Sequence, residues 1–250
     1  MTVEIMPGCE SFASEGGPVG VLVLHGFTGN PASMRSLAER FASAGYTVSL
    51  PRLPGHGTTV EDMKTTTWQD WSSAALAAYD ELAARCEKVA VAGLSMGGGL
   101  TAFIGENRSD VAGLVFINPL VKDAPAEMHE GLQGLLDAGM EELESIGSDI
   151  KKEGAVEASY NATPLACVVS LFAGIKDVDA NLSKISAPAL LLSSREDHVV
   201  TPDNGDLLVE KSSGSVERVW LENSYHVATM DNDAALVESL SVAFLEKVLA

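Results

Sequence analysis

Basic residues are scarce in this chain. Lysine and arginine number 16 against 35 aspartates and glutamates, a formal net charge of −19 with the histidines neutral. Nucleic-acid binding needs a basic footprint, so that partner class is excluded, and an anionic membrane surface gains little hold. Cysteine is almost missing as well. Cys9, Cys86 and Cys167 are widely spaced and odd in number, fit neither a zinc nor a disulfide framework, and are expected to be free thiols in a reducing cytosol. No run reaches the roughly 18 apolar residues of a membrane span. The opening "MTVEIMPGCESFASEGG" lacks the basic start and apolar stretch of a secretion signal. A cytoplasmic globular protein is the expectation. The 250 residues, 46% hydrophobic and 20% charged, suffice for one domain with an insertion or two small domains.

What is present is an alternation of buried strands and amphipathic helices. "GVLVLHG" (20–26), "KVAVAGL" (88–94) and "VAGLVFINP" (111–119) are continuous apolar runs, as expected of strands covered on both faces. Between them lie helix signals. "GNPASMRSLAERFASAGY" offers Asn30 as cap, Pro31 at the first helical position and Gly45 at the end. "TWQDWSSAALAAYDELAARC" carries Trp71, Ala75 and Leu82 toward a core. "YTVSLPRL" reads as a further strand. Such spacing implies right-handed crossovers and a mostly parallel sheet. From residue 120 to 186 the pattern is helical, as in "AEMHEGLQGLLDAGMEELESIG", and strand signals return in "APALLLSSRED" and "VERVWLE" before a last helix. The predicted organisation is a core of residues 1–119 and 187–250 with a helical cap, 120–186, over the carboxyl edge of the sheet, where ligands bind in open α/β sheets.

"VAGLSMGGGL" (91–100) places Ser95 between Gly93 and Gly97 at a strand-to-helix junction. A sharp elbow there leaves no room for side chains and sets the hydroxyl at a helix N-terminus, where developing negative charge is favoured. A serine needs a base oriented by a third group. Of the histidines, His25 ends a buried strand, His56 lies in the turn "LPGHG", His129 sits on a predicted cap helix and His198 follows an aspartate. His226, in the loop "ENSYHVATMD" after the last strand signal, is the predicted base. The orienting acid comes from "REDHVV", with Asp197 preferred and Glu196 its rival. The oxyanion donors are expected to be the N–H groups of Met96 and of Phe27 in "HGFTG". The order Ser95, Asp197, His226 is that of the α/β-hydrolase arrangement.

Taken together, "LHGFTGNP", "PRLPGHGTTVEDM", "TTTWQDW", "VAGLSMGG", "REDHVVTPDN" and "NSYHVATMDND" resemble the bacterial monoacylglycerol lipases and carboxylesterases of the α/β-hydrolase superfamily over nearly the full length. "SIGSDIKKEGAVEASYNATP" is similar to the small cap of the monoacylglycerol lipase branch. The resemblance implies hydrolysis of one acyl chain from glycerol by Ser95, Asp197 and His226, with no metal or organic cofactor. It further implies that Glu157 hydrogen-bonds the glycerol head group and that Ile146 lines the acyl passage. The acidic stretch "EMHEGLQGLLDAGMEELE" departs from the relatives. A general short- to medium-chain carboxylesterase with the same triad is the alternative, and a catalytically silent fold used as a ligand-binding module is the rival from another class. The negative charge favours a neutral lipid ester over an anionic one, or serves solubility alone.

Overall fold

The computed structural model describes residues 3–145 and 147–249. A short strand, β1 (Phe12–Ser14), precedes the almost wholly buried β2 (Val19–Leu24). The Asn30 side chain then accepts from the Ala32 N–H at 2.9 Å, capping a 3-10 turn over Pro31–Met34 that runs into α1 (Arg35–Ser43). Next come β3 (Thr47–Leu50), the single turn α2 (Val60–Met63), and α3 (Trp68–Ala83), started by a reciprocal Thr67–Asp70 capping box. β4 (Lys88–Leu94) passes through Ser95 into α4 (Met96–Asn107), and β5 (Val111–Ile117) follows.

The excursion between β5 and the next core strand holds α5 (Ala126–Asp137), a two-stranded ribbon of β6 (Glu142–Glu144) and β7 (Ala162–Pro164), and α6 (Leu165–Asn181). Helix was expected through all of "AEMHEGLQGLLDAGMEELESIG", and this is corrected. Gly139, at φ 87°, ends α5 as the Met140 N–H turns back to the Leu135 carbonyl at 3.0 Å. Glu142–Glu144 then pairs antiparallel with Ala162–Pro164. The core resumes with β8 (Ala189–Ser194), α7 (Asp203–Lys211), β9 (Val216–Leu221) and α8 (Ala234–Leu249).

The main sheet has seven strands in the order β1-β3-β2-β4-β5-β8-β9. All neighbours are parallel except β1 with β3. From β2 the chain moves outward to β3, then returns to the other side of β2 as β4. The switch point of the sheet therefore lies between β2 and β4, where loops at the carboxyl ends diverge and leave a crevice. Leu24 pairs in register with Gly93, so the chain after β2 and the chain after β4 emerge side by side.

Alternation along each strand feeds two cores. Val21 and Val23 pack with Leu37 and Phe41 of α1 and Leu245 of α8 on one face. Leu22 and Leu24 pack with Trp71 and Tyr79 of α3 and Leu100 of α4 on the other. Each such large side chain, fully buried, contributes about 1.5–3 kcal/mol, which fixes the strand ends that carry the site. Among the described residues no helix is long and apolar enough to cross a membrane.

Candidate active site

Ser95 occupies a backbone conformation that L-residues avoid, φ 58° and ψ −120°. Such strain costs on the order of 1–3 kcal/mol and persists only where the surroundings hold it. They do so here. The Ser95 N–H donates to the Ile117 carbonyl at 3.1 Å, and its own carbonyl accepts from Gly99 and Leu120 at 3.1 and 3.0 Å. The two glycines are steric requirements. A Cβ on Gly93 would lie 2.1 Å from the Gly97 oxygen, and one on Gly97 would lie 2.2 Å from the Leu24 oxygen. Because α4 begins at Met96, the Met96 N–H is one of the helix-end donors without an intrahelical acceptor.

Two loops from further along the sheet deliver the other groups. The His226 Nδ1 donates to Asp197 Oδ2 at 2.8 Å, with the two side chains only 7% and 1% exposed. A carboxylate only accepts, so the proton sits on Nδ1 and the Nε2 lone pair is left free. Asp197 Oδ1 is engaged as well, accepting from the N–H groups of Val199 and Val200 at 2.9 and 2.8 Å. Glu196, the rival acid, instead pairs with Lys151 at 3.1 Å at the surface.

Sequence reading missed Asn118, which follows β5 in a left-handed conformation, φ 42°. Its Nδ2 donates to the His226 carbonyl at 2.7 Å and to Ser194 Oγ at 3.0 Å, while its Oδ1 accepts from the Ser194 N–H at 2.8 Å. One buried amide thus ties the end of β8 to the His226 loop. The signal available in the sequence was a polar residue closing the apolar run "VFIN".

The loop after β2 rests on a buried histidine pair. The Leu53 N–H donates to His25 Nε2 at 3.1 Å, so the His25 proton is on Nδ1, directed at the Gly26 carbonyl at 2.9 Å. His56 lies against it with ring centroids 5.1 Å apart, and also touches Phe27 and Trp71 edge-on at 6.2 and 5.5 Å. Burial pushes His25 down from 6.5 to about 3, helped by the neighbouring His56, and burial pushes His56 down to about 4. Both are neutral in the fold and protonate readily once unfolded. Their contribution is therefore complete above the unfolded value and is lost as pH falls from 6.5 toward 4 and 3, at about 1.4 kcal/mol per pH unit per group. The buried Glu106 carboxyl, raised to about 8, acts in the opposite sense over this window, so the histidine contribution is read by difference: between pH 7 and pH 5 in urea unfolding, His56→Gln is expected to lose about 2 kcal/mol less than the wild type. An identical pH dependence in the two proteins would contradict this account.

Ser95, Phe27 and His226 open onto one cavity of about 160 Å³ that also meets Glu157, Asp149, Leu171 and Phe172. Burial raises the Glu157 carboxyl, opposed by the charge of His226 and a hydrogen bond from Ser33. A second cavity of about 600 Å³ shares Leu120, Phe172, Val199 and Val200 with the first and continues past Met128 and Pro125. His129 has its Nε2 2.7 Å from Oδ1 of Asp123, which lines this second cavity, and His198 pairs with Asp149 at 2.8 Å. Ile146 lies outside the described residues.

A crossover switch point with a glycine-bounded serine elbow after β4, and an acid and a histidine on the loops after β8 and β9, is the plan of the α/β-hydrolases, and this protein has that fold. A family model described as serine aminopeptidase, S33, matches residues 19–233, and the chain belongs to that family. It is 47% identical over 244 residues to the thermostable monoacylglycerol lipase of Bacillus sp. (strain H-257), covering 97% of this chain and 96% of that protein. It is 29% identical over 240 residues to the carboxylesterase of Bacillus subtilis (strain 168), covering 95% and 96%. Among solved structures, one described with LipS and LipT, two metagenome-derived lipolytic enzymes, superposes with a TM-score of 0.93 at 45% identity, over 98% of this chain and 100% of that one. The Paleococcus ferrophilus monoacylglycerol lipase shares the fold at a TM-score of 0.75 and 19% identity, over 94% and 98%.

Proposed function

We propose that this chain is a carboxylic ester hydrolase that splits monoacylglycerols into glycerol and a free fatty acid. The observation that carries the chemistry is the buried Asp197–His226 pair, 2.8 Å long, opening onto the same cavity as Ser95. The substrate class rests on the 47% identity to a monoacylglycerol lipase.

His226 Nε2 takes the Ser95 proton as Oγ attacks the ester carbonyl carbon. The oxyanion is held by the Phe27 and Met96 N–H groups, each worth on the order of 3 kcal/mol in the transition state. Collapse of the tetrahedral intermediate expels the glycerol oxygen, which takes the proton from His226 and leaves an acyl ester on Ser95. Water repeats the sequence with His226 again as base and releases the acid. Asp197 fixes the tautomer and stabilises the imidazolium. The reaction needs no cofactor.

Residues 120–186 act as a cap over this edge. The first cavity, about 160 Å³, is smaller than the roughly 300–1,000 Å³ usual for a ligand site. The neighbouring 600 Å³ space supplies the rest. The acyl chain runs past Phe172 toward Met128, and the glycerol faces Glu157. The Glu157 carboxyl, raised above its usual range by burial, offers two oxygens that accept from the glycerol hydroxyls.

Glycerol release from a medium-chain monoacylglycerol, set beside hydrolysis of the methyl ester of the same acid, tests the reading. Glu157→Gln is expected to lower kcat/KM on the monoacylglycerol about tenfold, the worth of roughly one hydrogen bond, and to change the methyl ester less than about twofold. Equal loss on both substrates moves the assignment to a general carboxylesterase. Silence of folded wild type on both removes ester hydrolysis altogether.

A further inference from the structure

The catalytic loops do not stand on the core alone. Asp149, in the irregular stretch between β6 and β7, turns its carboxylate onto both of them. Its Oδ2 accepts from the backbone N–H of His226 at 3.1 Å and from the backbone N–H of His198 at 3.2 Å. Its Oδ1 takes the His198 imidazole at 2.8 Å, and its main-chain oxygen accepts from the Val227 N–H at 3.1 Å. His198 directly follows Asp197. One carboxylate therefore holds the backbone of the base and the backbone next to the acid at once.

The joint is reciprocal. Asp231, buried and on the His226 loop, accepts from the N–H groups of Lys151 and Lys152 at 2.7 and 2.8 Å, and from Tyr225 at 2.8 Å. Each segment sends a carboxylate to the other's main chain. The effect of the two is not the same. Asp231 reaches neither His226 nor the acid loop, whereas Asp149 reaches both and also lines the cavity.

We infer that Asp149 is a positioning residue, which sets the register between His226 and Asp197 from outside the sheet core. This rests on the role of His226 and Asp197 proposed above. Burial alone would raise the Asp149 carboxyl, but hydrogen bonds from His198 and His226 outweigh it and hold it below its usual range. The group is thus an anion when it receives these N–H donors, which makes them stronger than neutral hydrogen bonds. Charged cations nearby do not take it away: Lys151 is engaged by Glu196.

The experiment compares wild type, Asp149→Ala, Asp149→Asn and Asp231→Ala. Active centres are counted with a fluorophosphonate, and kcat and KM are measured per titrated centre on the p-nitrophenyl ester of butyric acid, with Tm alongside. Asp149→Ala is expected to lower kcat on the order of 10²-fold, as a misplacement of about 1 Å does, with little change in KM. Asp149→Asn retains an acceptor for the His226 N–H and is expected to recover to within about tenfold of wild type. Asp231→Ala is expected to lower Tm while keeping kcat per centre within about threefold.

Per-centre kcat of Asp149→Ala within about threefold of wild type overturns the inference. So does an equal loss of kcat in Asp149→Ala and Asp231→Ala, since the joint as a whole would then matter and Asp149 would not. A wild type that neither reacts with fluorophosphonate nor hydrolyses the ester sinks the underlying reading instead, and is told apart by that first titration.

Discussion

Asp197→Asn is expected to lower kcat by about 10⁴-fold while leaving the protein folded. The size follows from how both carboxylate oxygens are used. Oδ1 accepts from the N–H groups of Val199 and Val200, and Oδ2 accepts from His226 Nδ1 at 2.8 Å. An asparagine at this place must keep its oxygen on the two backbone donors, because turning its NH₂ toward them would oppose donor to donor. Its NH₂ therefore faces His226. A donor there requires a lone pair on Nδ1, which moves the proton to Nε2 and removes the base that Ser95 needs. The packing of the loop selects the wrong tautomer. Kinetics on a short soluble ester decide the matter: activity within about tenfold of wild type would take Asp197 out of the proposed triad.

Gly93→Ala is expected to cost more than about 4–5 kcal/mol, enough to leave little folded enzyme. The added Cβ would sit 2.1 and 2.3 Å from the oxygen and carbon of Gly97, and 2.5 Å from Thr101 Oγ1. Two of the three are backbone atoms, so no side chain can swing aside. Relief means lifting α4 off β4, and with it the Met96 N–H and the strained Ser95. Gly134→Ala is the matched control. It lies in α5 with nothing within 4 Å of an added Cβ, so it is expected to stabilise by about 0.5–1 kcal/mol. Circular dichroism melts of the two variants read both effects; a Gly93→Ala protein that melts near wild type would mean the elbow has slack that its geometry denies.

The parallel core was legible because burial on both faces writes itself as unbroken apolar runs, and β2, β4, β5 and β8 each fall within one. The elbow was legible for a related reason, since close backbone approach admits only glycine. Other elements left no such trace. β1 and the ribbon strands are three residues each, "FAS", "ELE" and "ATP", too short for alternation to register. α7 buries only Asn204, Gly205 and Leu208, so its helical stripe is faint. Asn118 and Asp149 are harder still. They serve backbone N–H and carbonyl groups 49 to 108 positions away, and a backbone group carries no residue type for a pattern to catch. Glu157 entered through family likeness, since Gly29, against which its carboxyl packs, lies 128 positions earlier in the chain and was not readable as a partner.

The cavity wall carries two carboxyl groups, Asp149 and Glu157, on a protein of net charge −19. An ester arriving there is uncharged and meets little opposition. Deacylation replaces it with a fatty acid that ionises, and the newly formed anion then shares a confined, poorly screened space with Asp149. Hydrolysis so converts a tolerated guest into a repelled one. The same carboxylate that holds the histidine loop in place thus opposes the acid product and favours its release.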